Sequence, residues 1–221
     1  MNYKSHTPDP AAVIKGLSFE RFGRYLQASG NNTQMALQLY QLNTKLSEAL
    51  YGLLQSLEVI LRNAFHEQLS VALSTTWYDT QYGSRSLLRP KEAESVRHAK
   101  DRILGLNNSI VPGQVVASLS FGFWVNLTSG DYEQSLWMRM KLYEAFPRRP
   151  RHKFGRVDIY KRLNDLRRLR NRVAHHEPIF NLKLRNELGK ILETIDWISI
   201  DAAAWVAKTN GLEKLLDDNK L

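Results

Sequence analysis

Cysteine is absent from the 221 residues. That excludes disulfides, thiolate zinc sites and a cysteine nucleophile. Long apolar runs are missing as well. None approaches the roughly 18–20 residues that a membrane span needs, so no membrane partner is expected. The opening stretch MNYKSHTPDPAAVIKG has no signal-peptide apolar core, which points to a cytoplasmic protein. No P-loop, no dinucleotide-binding glycine pattern and no Gly-x-Ser-x-Gly elbow occurs. There is no internal repeat, low-complexity tract or convincing linker. What remains is an ordinary globular composition, 43% hydrophobic and 24% charged, in a chain long enough for a real core.

Charge is present in excess and in one place. The net charge is +9. Residues 148–190 hold 14 Lys and Arg against 4 Asp and Glu, while the rest holds 17 against 18. The whole excess therefore falls within 43 residues. An excess so localised favours a polyanionic partner, and nucleic acid is the expected one.

The pattern along the chain reads as helices. Residues 1–16, with Pro8 and Pro10, predict a flexible lead, and residues 17–221 predict one helical domain. Ser18 caps a short amphipathic helix through Phe19, Phe22 and Leu26, and Ser29–Asn32 breaks it. From Gln34 to Ser74 there is no proline and one glycine, Gly52. Leu39, Leu42, Leu46, Ala49, Leu53, Leu57, Ile60 and Ala64 recur at steps of three and four. A second row, Leu50, Leu54, Leu61 and Phe65, widens that face. This is a long central helix capped by Thr33, or two nearly collinear helices, packed on more than one side. Pro90 opens a more polar helix that Asn107-Asn108 ends. VVASLSFGFWVNL is apolar nearly all round and is read as a buried helix, since no partner strand is near. Asp131 caps a helix to about Phe146. Helices follow at 156–176, 182–199 and 201–216. Trp124, Trp137, Trp197 and Trp205 fit apolar helical patterns and belong to the core. Trp77, in a connector beside Tyr78 and Tyr82, is the candidate for exposed base stacking.

The densest chemistry lies in RRLRNRVAHHEPIF, residues 167–180. On a helix, Ile159, Leu163, Leu166 and Val173 fall within about 80° of one another and form the core stripe. Arg170 falls inside that stripe. A guanidinium there needs a partner, because an unpaired buried charge is costly. Two readings stay open: a structural ion pair, for instance with Glu58, or an anion site where two surfaces meet. Asn171 and His175 are four apart and share a neighbouring face. Pro178 disfavours helix at Glu177, so His175 and His176 occupy the last helical turn. Histidine titrates near neutral pH and suits general acid–base work, although a helix-end histidine also serves simply as a cap. His175, His176 and Glu177 are consecutive and point in different directions, without zincin spacing, so neither a metal nor another cofactor is expected.

Arg170 to His175 reads R-N-x-x-x-H. This resembles the signature of the HEPN superfamily of helical ribonucleases. Its context RNRVAHHEPIFN, with LSFERFGRYLQ, LEVILRNAFHEQL and VVASLSFGFW upstream, resembles the Abi-like family of abortive-infection proteins. The resemblance covers about residues 17–200. It implies an all-α, HEPN-like bundle that works as a homodimer, with the motif helices of two copies facing each other across a metal-independent RNase site. Arg170 would hold the scissile phosphate, His175 would move protons and Asn171 would orient the histidine or the phosphate. The protein would then be a toxin-like antiphage effector with a neutralising antitoxin, a protein or a small RNA. A non-catalytic RNA-binding or scaffold protein of the same fold is the alternative. Arg62 and His66, i and i+4 on the long helix, together with His176 and Glu177, are possible accessory residues, or merely polar surface. Arg148, Arg149, Arg151 and Lys153 of the loop PRRPRHK, with Arg167, Arg168 and Arg172, are expected RNA-phosphate contacts.

Overall fold

The computed structural model describes residues 6–82, 85–106 and 109–219. Helix makes up 75% of the structure, with almost no strand, so the chain is an all-α bundle. Helix begins earlier than expected. The Asp9 carboxylate accepts the N–H groups of Ala11 and Ala12 at 3.1 and 3.3 Å, and Pro10 occupies the first helical position. Both features favour a helix start. The resulting helix α1 (Pro10–Leu17) buries Ile14 against Phe22, Tyr25 and Ala36. The expected flexible lead is therefore helical from Pro10 onward. Ser18, at φ 77°, turns the chain into α2 (Phe19–Ala28), whose start has no side-chain cap. Phe22 and Tyr25 are buried there, whereas Phe19 is exposed.

Helix α3 (Thr33–Ala72) is one continuous helix of 40 residues. At 1.5 Å per residue it spans about 60 Å. Asn32, not Thr33, caps it, its side-chain oxygen accepting the Met35 N–H at 3.0 Å. Leu46, Leu50, Leu53, Leu54, Leu57, Leu61, Phe65 and Leu69 are all buried. The two apolar rows merge into one broad face, with Leu39, Leu42, Ile60 and Ala64 half-buried at its edges. The other helices pack around this rod.

A short antiparallel pair, β1 (Gln81–Tyr82) and β2 (Arg85–Ser86), precedes α4 (Pro90–Leu106). Asn107-Asn108, the expected end of α4, lie outside the described residues, as do residues 1–5 of the expected lead. The apolar segment is helical, as read, but divided into α5 (Pro112–Ser118) and α6 (Phe121–Asn126). Ser120 makes the break, its hydroxyl accepting the Phe123 N–H at 3.3 Å. The predicted helix from Asp131 does not form as one element. A 3₁₀ turn at Gly130–Tyr132 leads into a π-helical stretch, Glu133–Arg139, and a second 3₁₀ turn, Leu142–Ala145. A buried polar knot lies behind this irregularity. Glu92 of α4 accepts from the Asn126 amide at 3.1 Å and the Tyr132 hydroxyl at 2.9 Å, and that hydroxyl accepts the Arg89 N–H at 2.9 Å. Satisfying a buried carboxylate takes precedence over regular helix here.

Helices α7 (Arg156–Ala174), α8 (Leu184–Ile198), α9 (Ile200–Thr209) and α10 (Leu212–Asp218) complete the bundle. The last predicted helix splits in two because Asn210 bonds both sides of the break. Its amide nitrogen donates to the Ala207 carbonyl at 2.8 Å and its oxygen accepts the Leu212 N–H at 3.1 Å. Trp124, Trp137 and Trp197 are in the core. Trp205, expected there too, is 62% exposed on α9. Among the described residues no helix is long and apolar enough to cross a membrane.

Candidate functional site

Helix α7 carries the motif. Asp158 fixes its start by accepting the Gly155 N–H at 2.9 Å. Ile159, Leu163, Leu166 and Val173 are buried, as the stripe requires, and Leu169 joins them. The helix runs antiparallel to α3. The Arg167 side chain lies over Gly122, Arg170 reaches Glu58 of α3, and Val173 and Ala174 lie beside Asn43 and Ser47.

Arg170 makes the ion pair that its place on the stripe demanded. Its Nε lies 3.6 Å from Glu58 Oε2, and the two side chains are 33% and 18% exposed. One helical turn along α3, Arg62 donates to the Ala117 carbonyl at 3.4 Å, while its Nε is buried with no partner. Of these two arginines only Arg170 pairs with Glu58; Arg62 turns to the Ala117 carbonyl. Another turn on, His66 is held by Trp77, whose indole N–H donates to His66 Nδ1 at 3.1 Å. Burial lowers the His66 pKa from its ordinary value. Trp77 is fully buried and Tyr78 is buried too, so neither is an exposed stacking surface. The buried indole has a partner in the imidazole that a sequence cannot supply by itself. The Tyr82 side chain lies outside the described residues.

The two histidines sit one step later than the proline suggested. Helix α7 ends at Ala174, and His175 is its C-cap. His176 follows at φ 57°, in the left-handed region. The His176 N–H donates to the Val173 carbonyl and the Glu177 N–H to the Arg172 carbonyl, both at 3.0 Å. That pairing is a Schellman end, in which glycine usually takes the left-handed position. Both histidines and Glu177 are exposed, while Asn171 is half-buried. The His175 imidazole has no hydrogen-bond partner among the described residues. The turn is rigidly backed. Arg172 donates to the Pro178 carbonyl at 2.8 Å and the Asn181 side chain at 3.4 Å, and lies 3.8 Å from Glu177. Asn43 Oδ1 accepts the N–H groups of Ile179 and Phe180 at 2.7 and 3.1 Å.

The expected phosphate contacts divide. Arg151, Lys153 and Arg168 are exposed. Arg148 pairs with Asp196 at 3.2 Å, Arg167 donates to the Asn164 side chain at 2.8 Å, and Arg172 braces the turn. Arg149 is buried over the Trp137 ring, its pKa lowered by burial and then by Arg151. Its Nε and one terminal nitrogen have no partner, so it is not the solvent-facing contact expected. Among the described residues no three His, Asp or Glu side chains converge as metal ligands.

Sequence reasoning missed a cavity of about 630 Å³ beside the turn. Tyr25, Tyr40, Asn43, Ser47, Tyr51 and His176 line it. They come from α2, α3 and the turn after α7, and no local spacing links them.

Neither curated proteins nor solved structures give a match to this chain. The family model for Abi-like proteins matches residues 12–181, from α1 through the motif to the turn held by Asn43. With more than half of its length matched, the chain belongs to the Abi-like protein family.

Proposed function

We propose that this protein is a metal-independent endoribonuclease of the HEPN type that serves as an abortive-infection effector. The family match supports the abortive-infection role. One observation carries the chemistry: Arg170 of the motif stands partly exposed on Glu58 of α3, with Arg62 one helical turn further along the same helix. Two guanidiniums against one carboxylate leave this stretch of the seam between α3 and α7 net positive, which suits the scissile phosphate and its developing charge.

The reaction needs two proton transfers. A neutral imidazole takes the 2′-OH proton, and the 2′-oxygen attacks phosphorus. The bond from phosphorus to the 5′-oxygen breaks, and the leaving oxygen takes a proton from a cationic imidazole. The products are a 2′,3′-cyclic phosphate and a 5′-hydroxyl. Each chain supplies one His175, so a cleft between two copies holds both the base and the acid. Within one chain Arg170 turns into α3 while His175 stands in solvent, which supports a composite site in a homodimer. Asn171 orients the imidazole or the phosphate. A toxic activity of this kind calls for a neutralising partner.

The Arg170–Glu58 pair within one chain favours the second reading, an RNA-holding protein that does not cut. Incubation with total RNA in EDTA separates the two. Cleavage is expected to leave cyclic-phosphate ends and to fall about 10²–10⁴-fold in His175→Ala. RNA that stays bound yet intact from about pH 6 to 8 retires the nuclease. Activity abolished by EDTA retires the metal-free mechanism.

A further inference from the structure

The cavity beside the turn has walls suited to a planar heterocycle. Tyr25, Tyr40 and Tyr51 line it, and the first two rings meet edge to face at 5.1 Å. Burial, then Tyr40, pushes the Tyr25 pKa up to about 12, so its hydroxyl keeps its proton and remains a donor. Polar groups stand among these rings with capacity unused. Asn43 is 5% exposed, and its oxygen is taken by two backbone N–H groups. Its amide N–H donors have no partner among the described residues. The Ser47 hydroxyl is buried with no partner either. An apolar cleft with a few converging unpaired polar groups is the usual form of a ligand site, and about 300–1,000 Å³ is the usual volume.

Position narrows the ligand. Thr44, Tyr51 and Glu58 are spaced seven apart on α3, so they share a face. Tyr51 therefore stands about 10 Å along the helix from Glu58 and its partner Arg170. A base at Tyr51 and a phosphate at Arg170 would therefore lie along one face of α3. His176, on the cavity wall, directly follows His175.

We propose that this cavity is a nucleobase pocket, which seats one unstacked base of the RNA next to the phosphate held at Arg170. Aromatic rings take the base face and the Asn43 amide takes its edge, the pattern by which proteins read single-stranded RNA. The pocket gives the cleaved or bound RNA a base preference. The proposal rests on the RNA reading above for its ligand class, but not on catalysis.

The test uses uncharged nucleosides, so that phosphate contacts contribute nothing. Adenosine, guanosine, cytidine and uridine are titrated by calorimetry into the full-length His175→Ala protein, which is expected not to cut. At least one nucleoside is expected to bind with a Kd near 1 mM or tighter. Tyr51→Ala is expected to weaken that binding about tenfold or more, as the loss of one stacking ring does. Ser47→Leu fills the cavity and is expected to abolish it. Tyr51 is 45% exposed, so Tyr51→Ala stays folded and the readout survives even if Ser47→Leu does not. No nucleoside binding at several millimolar overturns the pocket, whether or not RNA is cut. Nucleoside binding by a protein that never cuts RNA upholds the pocket and retires the nuclease alone. A dimer dissociated by Tyr51→Arg, with no nucleoside bound, makes this face a contact between copies and overturns the proposal.

Discussion

His176 is one of four non-glycine residues with positive φ among the described residues. At φ 57° a side chain with a Cβ costs about 1–2 kcal/mol that glycine avoids. The Schellman bonds around it require the conformation whatever the side chain. His176→Gly is therefore expected to raise stability by about 1 kcal/mol, read as a higher urea midpoint at constant slope. A lower midpoint would mean that the imidazole contributes more at the cavity wall than the strain removes. His66 makes the opposite kind of bargain. Its Nδ1 must stay unprotonated to accept the Trp77 N–H, and burial lowers its pKa in the folded chain. The unfolded chain then binds the proton more readily, so stability rises with pH in that window. The contribution is complete above the ordinary value of 6.5 and is lost as pH falls below it towards the lowered value. The stability advantage of wild type over His66→Gln is expected to shrink between about pH 7.5 and about pH 5. An advantage constant across that range would remove His66 from the acid response.

At the scale of elements, α3 is the rod on which the site is built. Seven-residue steps along one of its faces carry the cavity, Glu58 and, four residues on, Arg62. Its one internal glycine, Gly52, is exposed, and a Cβ added there would meet nothing within 4 Å. No packing requires a glycine at that point. Gly52→Ala is expected to stabilise the protein by about 0.5–1 kcal/mol through helix propensity alone, a Tm rise of about 1–4 °C. A drop in Tm would show that α3 has to bend at Gly52. Helix α7 illustrates the other side of element design. Its apolar stripe docks it on α3, and the one charge on that stripe, Arg170, is matched by a carboxylate of the partner helix.

For the whole molecule, the basic excess is partly consumed by the fold. Arg148 and Arg156 pair with acidic neighbours, Arg172 braces the turn, and Arg149 is buried. Arg151, Lys153 and Arg168 remain exposed. Replacing each by Ala is expected to weaken RNA binding across all sequences and to lower the slope of log affinity against log salt by about 1 per contact. A slope unchanged by all three would move the RNA surface elsewhere. A composite cleft also requires a second copy. Light scattering at micromolar concentration is expected to report a dimer, and a monomer that still cuts RNA would place base and acid in one chain.

The residues alone determined the class of fold and singled out the helix that carries the densest polar motif. Apolar steps of three and four along α3 and α7 announced the long rod and the helix docked upon it, because burial repeats with the helical period. The same period put Arg170 among leucines and called for a partner such as Glu58, which the structure supplies. Local signals failed where a distant group outbid them. Trp77 is buried because His66 accepts its N–H, and the segment after Asp131 is irregular because Tyr132 is drawn to the buried Glu92. Asn32 displaces Thr33 as cap by reaching the Met35 N–H, a detail that neighbouring cap-formers leave ambiguous. The cavity was illegible for a deeper reason. Its walls come from residues 25–51 and 173–176, and only the antiparallel docking of α7 on α3 brings them together. Periodicity says which face of a helix is buried, but not which face of which partner it meets.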